Sequence, residues 1–426
     1  MTPRLFPLLF VFALALTGPL VPLPARAGIS AEPTGPEVTV ETPQALTQAY
    51  LDLSAWDGAG GTIYLAPGFP RLGEIALEQG GDNPVHITSA DPADPVRVSR
   101  IAFDAVDNVR ISRVHVDSTG ATRPDFMRDI DITQSSRIEI INSIFTSNGS
   151  IVFDPADPTA VLGERLSMIR HARDITVSGN HISGYEQGLT FQETVGLRVI
   201  GNEITAIQGD GIRIVGVSDV RIEGNYMHDF SATPNEFTHS DFIQMWSRNA
   251  EIISHDITIT GNIMDTGNGV AVQAIWLGNP VYARGDRAHV YRDITITENL
   301  IYTGAANGIG VTGAQDVRIE DNTLLWNRAA VTIKEDGDTS FFPRIRLSDD
   351  ITDAAVTGNI TTRILHGPQV RLADNILMSW TATDPNFVGR HFMDVVQGGD
   401  IGPNGWRLRP DSTWVGTGAP ASQPDG

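Results

Sequence analysis

Four residues in the middle of the chain, Asp210, Arg213, His239 and Asp241, are of types that move protons or steady charge next to a carboxylate. His239 suits a general base and Arg213 or Arg284 suits stabilisation of an enolate. Tyr282, farther on, suits an acid for a leaving oxygen. Those three tasks are what β-elimination from a uronate requires. Without the leaving step, and with a proton returned from the opposite face, they give C5 epimerisation. Asp210 and Asp241 also form a carboxylate pair of the kind glycoside hydrolysis uses. Together with Asn268 they supply oxygen ligands suited to calcium, the one cofactor these residues suggest. Gln244, Trp246, Gln273, Trp276, Arg284, Arg287 and His289 are expected to contact substrate. Indole rings stack on sugars, and guanidinium groups make paired contacts with carboxylates. A noncatalytic module is the third reading, in which His239 and Asp241 have no activity to support.

These residues are distant in sequence, so a repeat must bring them together. The pattern Ile/Val-x-Ile/Val-x-x-Asn-x-Ile/Met/Leu recurs, with its Asn at 180, 202, 225, 262, 299 and 322 and a weaker copy at 359. Intervals are 22, 23 or 37 residues, and the longest are read as the same unit with an inserted loop. Each unit holds two or three short strands that cannot bury an apolar face alone but do so when stacked at roughly 4.8 Å. The Asn is expected in a left-handed turn, with its amide bonded to the Asn one rung away. The unit is too short for a propeller blade. It specifies an all-β chain, a right-handed parallel β-helix over about residues 60–378, capped by a helix at 43–54. Thr42 at the cap and Pro43 at the first position mark the start of that helix.

Stacking the strand after each Asn predicts spatial neighbours. Leu189, Ile212, Ile243, Val270, Ile309 and Val331 are expected to point inward. Two outward columns follow: Thr190/Arg213/Gln244/Ala271/Gly310/Thr332 and Gln192/Val215/Trp246/Gln273/Thr312/Lys334. The residues before the strands are Gln187, Asp210, Asp241, Asn268 and Asn307. Asp210 and Asp241 are thereby expected about 5 Å apart. Insertions at about 229–238 and 277–292 should wall a groove for an extended polymer. The second carries Tyr282, Arg284, Arg287, His289 and Arg292.

The repeat resembles those of the pectin lyase-like superfamily of parallel β-helices, over most of the chain. The resemblance implies the fold, and it implies a carbohydrate-active protein with a polysaccharide as partner. His239-x-Asp241-x-x-Gln244 is similar to a motif of β-helix carbohydrate-active proteins. Thr238-His239-Ser240-Asp241 lacks the leading Asp-Pro of alginate epimerases. The Asn-Thr-Asp, Asp-Asp and Gly-His-Gly set of polygalacturonases is also absent.

Composition narrows the setting. With 51 acidic and 30 basic residues, the net charge of −21 opposes binding to nucleic acid. There is no cysteine, which excludes disulfides and thiolate chemistry. Arg4, an apolar run and Ala25-Arg26-Ala27 read as a signal peptide over 1–27, so an exported monomer without a membrane span is expected. Residues 28–59 form the amino-terminal segment with the helix. Residues 379–426 are expected to cover the last rung through Gly405–Ser412 and to end in a disordered 416–426.

Overall fold

In the computed structural model, the described residues are 33–55, 60–117, 127–147, 164–230, 240–330 and 342–424, with the backbones of Val152–Phe153 and Val161–Leu162. The signal-peptide reading of 1–27, His239 and Lys334 all lie outside the described residues. The chain is a parallel β-helix. One sheet of 20 strands carries two faces of the coil, and a second of 11 short strands carries the third. Apart from the antiparallel pair Val152–Phe153 and Val161–Leu162, the paired strands run parallel, each rung onto the next. The inward side chains are nearly all Ile, Val, Leu and Phe, and they form one continuous buried cluster from Val40 to Val370.

Two turns set the shape of each coil. Leu189–Ile200 and Ile212–Glu223 each bend through two left-handed residues, Glu193 and Gly196 in the first and Gly216 and Asp219 in the second. The latter bend residue of each pair repeats in register as Asp174, Gly196, Asp219, Asp256, Asp293, Asp316 and Asp353, each with φ near +50° or above. Asp and Gly tolerate this conformation best. In later rungs an insertion splits the strand at this corner, giving Asp241–Trp246 and His255–Thr260.

The second turn holds the asparagine ladder. Each Oδ1 accepts the backbone N–H and the Nδ2 of the preceding Asn, from Asn180 through Asn202, Asn225, Asn262, Asn299 and Asn322 to Asn359 and Asn375. Ser143 extends it towards the amino end by donating its N–H to Asn180. The left-handed residue is not the Asn, as expected, but the one before it: Gly179, Gly201, Gly224, Gly261, Glu298, Asp321, Gly358 and Asp374. The preceding residue makes the reversal, which leaves the Asn side chain free to point into the corner.

The helix Pro43–Ser54 starts at Thr42, whose hydroxyl accepts from Ala45 N–H, and it buries Leu46, Ala49, Tyr50 and Leu53 over the first rung. The last rung strand is Ile376–Leu377. The tail does not simply close that end. It runs back over the outer side of the short-stranded sheet, packing Trp406, Trp414, Val388 and Phe392 on Leu300, Tyr302, Leu325 and Ile360. Residues expected to be disordered are part of this cover: Gly418 N–H bonds Gly358 and the Ser422 hydroxyl bonds Thr323. The reason lies in the rungs. Their outward positions are polar at Glu203 and Thr205 but apolar at Leu300 and Tyr302, and that apolar surface needs a lid.

Candidate functional site

The first three rungs of the alignment pair as stacked: Leu189, Ile212 and Ile243 inward, and Thr190, Arg213 and Gln244 outward. The fourth rung does not. Ile243 pairs with Ile275 and Gln244 with Trp276, so the strand is Gln273–Leu277 and not Gly269–Gln273. The Gly269 N–H bonds Thr266 in a turn that absorbs the extra residues. Two similar apolar stretches competed here, and Ala-Ile-Trp-Leu buries more than Val-Ala-Val. Beyond it, Trp276 pairs with Gly310, and Gly310 with Arg346. The strand Arg344–Leu347 therefore replaces Ala330–Lys334, whose Val331, Thr332 and Lys334 lie outside the described residues. The corrected outward column is Thr190, Arg213, Gln244, Trp276, Gly310, Arg346.

Asp210 and Asp241 occupy adjacent rungs at the strand entrance. The Asp241 N–H donates to Asp210 Oδ1 at 3.0 Å, and Arg213 Nε lies 3.2 Å from Asp210 Oδ2. Gln244 Nε2 donates to Asp241 Oδ2 at 2.6 Å. Asp241 is 0% exposed and Asp210 7%. The two carboxylates therefore build the corner and orient Gln244. Gln273 follows Asp241 in this row and accepts from Asn307 Nδ2, so it does not stand beyond Trp246. Asn268 is elsewhere, its Oδ1 accepting the Asp400 N–H of the cover. The trio proposed for calcium is thus not assembled. Among the described residues no group of three His, Asp or Glu side chains is arranged to hold a metal.

Behind this row, buried Glu186 pairs with Arg165 at 2.8 Å. Burial pushes the Glu186 carboxyl up, against the opposing pull of Arg165, Arg213 and Arg128. The Arg213 guanidinium stacks over the Trp246 ring at 4.7 Å.

Beside the row lies a cleft of about 480 Å³ that includes Gln244, Trp246, Trp276, Asn279, Tyr282 and Asp350. Its floor is seated on glycines. A Cβ at Gly310 would fall 2.3 Å from Cε3 and Cζ3 of Trp276, and one at Gly313 would fall 2.7 Å from Cδ1 of Tyr282. The short helix Pro280–Ala283 presents Tyr282. Its cap, buried Asn279, accepts from the Tyr282 N–H and the Ser247 hydroxyl, and donates to the Gly313 and His289 carbonyls. Arg287 stacks on Tyr282 at 4.4 Å and pairs with Asp350 at 2.9 Å, at the rim. Arg284 is fully on the surface, and His289 is half-buried with its ring edge towards Tyr291. The cleft thus gathers Gln244, Trp246, Trp276 and Tyr282, with Arg213 and Arg287 as stacking partners. Asn279, Glu186 and Arg346 were missed. Asn279-Pro280 carries a helix-start signal that was available in the sequence. Arg346 was hidden by the competing alignment.

Residues 168–341 match the model of the right handed beta helix region family. No curated protein matches the chain. Among solved structures, an alginate lyase from Paenibacillus sp. str. FPU-7 is 13% identical over 80% of this chain and 99% of its own, with a TM-score of 0.43. The Streptococcus pneumoniae surface protein and adhesin PfbA is 13% identical over 78% and 93%, with a TM-score of 0.42. The periplasmic alginate epimerase AlgG is 13% identical over 75% and 73%, with a TM-score of 0.41. Likeness at this level concerns the coil alone.

Proposed function

We propose that this right-handed parallel β-helix protein of the pectin lyase-like superfamily acts on an extended acidic polysaccharide by β-elimination or C5 epimerisation. The observation that carries the reading is the outward column Arg213, Gln244, Trp276, Gly310, Arg346, which lies beside the cleft that holds Tyr282. A polymer laid along the coil axis meets arginines at both ends of this column and an aromatic floor between them. Arg346 is exposed and has no ion pair among the described residues, so it is available to a uronate carboxylate.

In this reading His239 removes the proton beside the carboxylate. Arg213 steadies the enolate, and Tyr282 protonates the leaving oxygen. Asp241 is a positioning residue, because it fixes the Gln244 amide. Hydrolysis is the second reading, supported by the two carboxylates on adjacent rungs. The complete burial of Asp241 counts against it, since a hydrolytic carboxyl must reach the glycosidic oxygen or a water. An exported protein is consistent with either reading. No helix among the described residues is long and apolar enough to cross a membrane.

The test is mass spectrometry of products from a panel of acidic polysaccharides, with Tyr282→Phe and His239→Ala in parallel. Unsaturated fragments, or C5 exchange in heavy water, lost in both variants support the reading. Saturated fragments would replace it with hydrolysis. No turnover together with no binding would leave a structural coil.

A further inference from the structure

We infer that the cleft between Trp246, Trp276 and Tyr282 is a subsite for a neutral, equatorially substituted pyranose ring. The substrate class would then be a heteropolysaccharide that carries neutral β-pyranosyl residues next to its acidic ones. The inference rests on the proposed function for the acidic part only.

Three observations support it. First, the lining is aromatic and nearly uncharged. Among the described residues its only charged member is Asp350, already paired with Arg287 at the rim, and no Arg, Lys or His side chain among them lines the cleft. A uronate in such a cleft would surrender its hydration, and the guanidiniums nearest to it, Arg213 and Arg287, are already engaged by Asp210 and Asp350. A neutral ring loses far less, and its axial C–H face suits an aromatic plane. Second, the floor is preorganised. Gly310 and Gly278 both lie against the Trp276 ring, where a Cβ would fall 2.3 Å and 2.7 Å from it, and Gly313 seats Tyr282 in the same way. The Asn279 hub then ties the Tyr282 turn to Ser247, Gly313 and His289. A rigid aromatic floor lowers the ordering cost of binding. Third, hydroxyl partners surround the floor. Gln244 and Thr312 line the cleft and can meet the hydroxyls of a neutral sugar, while Asn279 and Ser348 beside them are engaged in holding the floor. Gln244 is shared with the Asp241 row, so the neutral ring would sit directly beside the acidic column.

The test is isothermal titration of the full mature chain with cellohexaose, xylohexaose and chitohexaose, against hexamannuronate and hexagalacturonate. Trp276→Ala and Trp276→Phe are measured alongside, with melting temperature as the check on folding. At least one neutral hexamer should bind. Trp276→Ala should weaken it about tenfold or more, and Trp276→Phe should restore most of the affinity. If uronate hexamers bind and no neutral hexamer does, the inference falls and the proposed function stands. If a neutral hexamer binds through Trp276 and no uronate does, the inference stands and the acidic reading falls. If Trp276→Ala folds and leaves neutral binding unchanged, the cleft is not the subsite and the inference is overturned.

Discussion

Gly310→Ala should damage the protein although a strand glycine ordinarily costs stability. In an open strand, replacing Gly by Ala gains about 0.5–1 kcal/mol. Here the added Cβ would lie 2.3 Å from two ring carbons of Trp276, where ordinary contact begins at 3.4 Å, so the ring must retreat by 3.4 − 2.3, or 1.1 Å. Gly278 is packed against the other edge of the same ring, which limits where it can go. Overpacking of this kind costs about 1–3 kcal/mol. Subtracting the usual gain leaves a net loss of up to about 2.5 kcal/mol, and about 1 kcal/mol at the middle of both ranges. In a chain of this size, that lowers the melting temperature by roughly 1–3 °C. The assay is scanning calorimetry, with near-ultraviolet circular dichroism to follow the displaced indole. Gly68→Ala is the control, because a Cβ there meets nothing within 4 Å. If Gly310→Ala is as stable as Gly68→Ala and its aromatic spectrum is unchanged, Trp276 is not seated as described and the rigid floor fails with it.

Other perturbations have definite signs. Asn262→Ala removes an amide that is 0% exposed and serves both neighbouring rungs, so it should cost about 3 kcal/mol or more by calorimetry, whereas Asn375→Ala at the ladder's end should cost less. Burial, with Asp229 and Asp400 adding, raises the Asp265 carboxyl from 3.8 to about 6, so its favourable contribution is complete below pH 3.8 and is lost as pH rises through 6. Asp265→Asn should therefore be more stable than the parent at pH 8, on the order of 2–3 kcal/mol, and should flatten the melting temperature between pH 4 and 6. Truncation after Ser379 would expose Leu300, Tyr302 and Leu325, and the shortened chain should melt lower and bind a hydrophobic dye such as ANS.

The coil was legible because its repeat is written in residues with one physical task each. Inward Ile and Val every second position, and an Asn at the same corner of successive rungs, leave few other ways to bury the apolar face. The same logic gave the column Thr190, Arg213, Gln244 and the contact between Asp210 and Asp241. It failed at the fourth rung, where Val270 and Ile275 both fit the inward position and only packing chooses Ile275. Trp276 was thus expected to contact substrate, but without its place beside Gln244. The burial of Asp241 was not legible for a different reason. Burial depends on what lies over the strand entrance, and periodicity carries no information about that. The cover was also missed in extent, though outward Leu300, Tyr302 and Leu325 in the short strands announce it.

The bend column has an electrostatic consequence. A left-handed bend in every rung favours Asp, Asn or Gly, and this chain uses Asp at 219, 256, 293, 316 and 353, so five like charges stand in file about one rung apart. Arg198 answers the first with a two-pronged contact and His255 the second, while Arg221 is turned to Glu223. The remaining three share their side of the coil with Arg318 but outnumber it, so they repel along the axis, as charges do along a polyelectrolyte. Added salt shortens the reach of that repulsion to about 8 Å at 0.15 M and less above it. The coil is therefore expected to tighten, and to melt higher, as ionic strength rises, the reverse of a fold held by surface ion pairs.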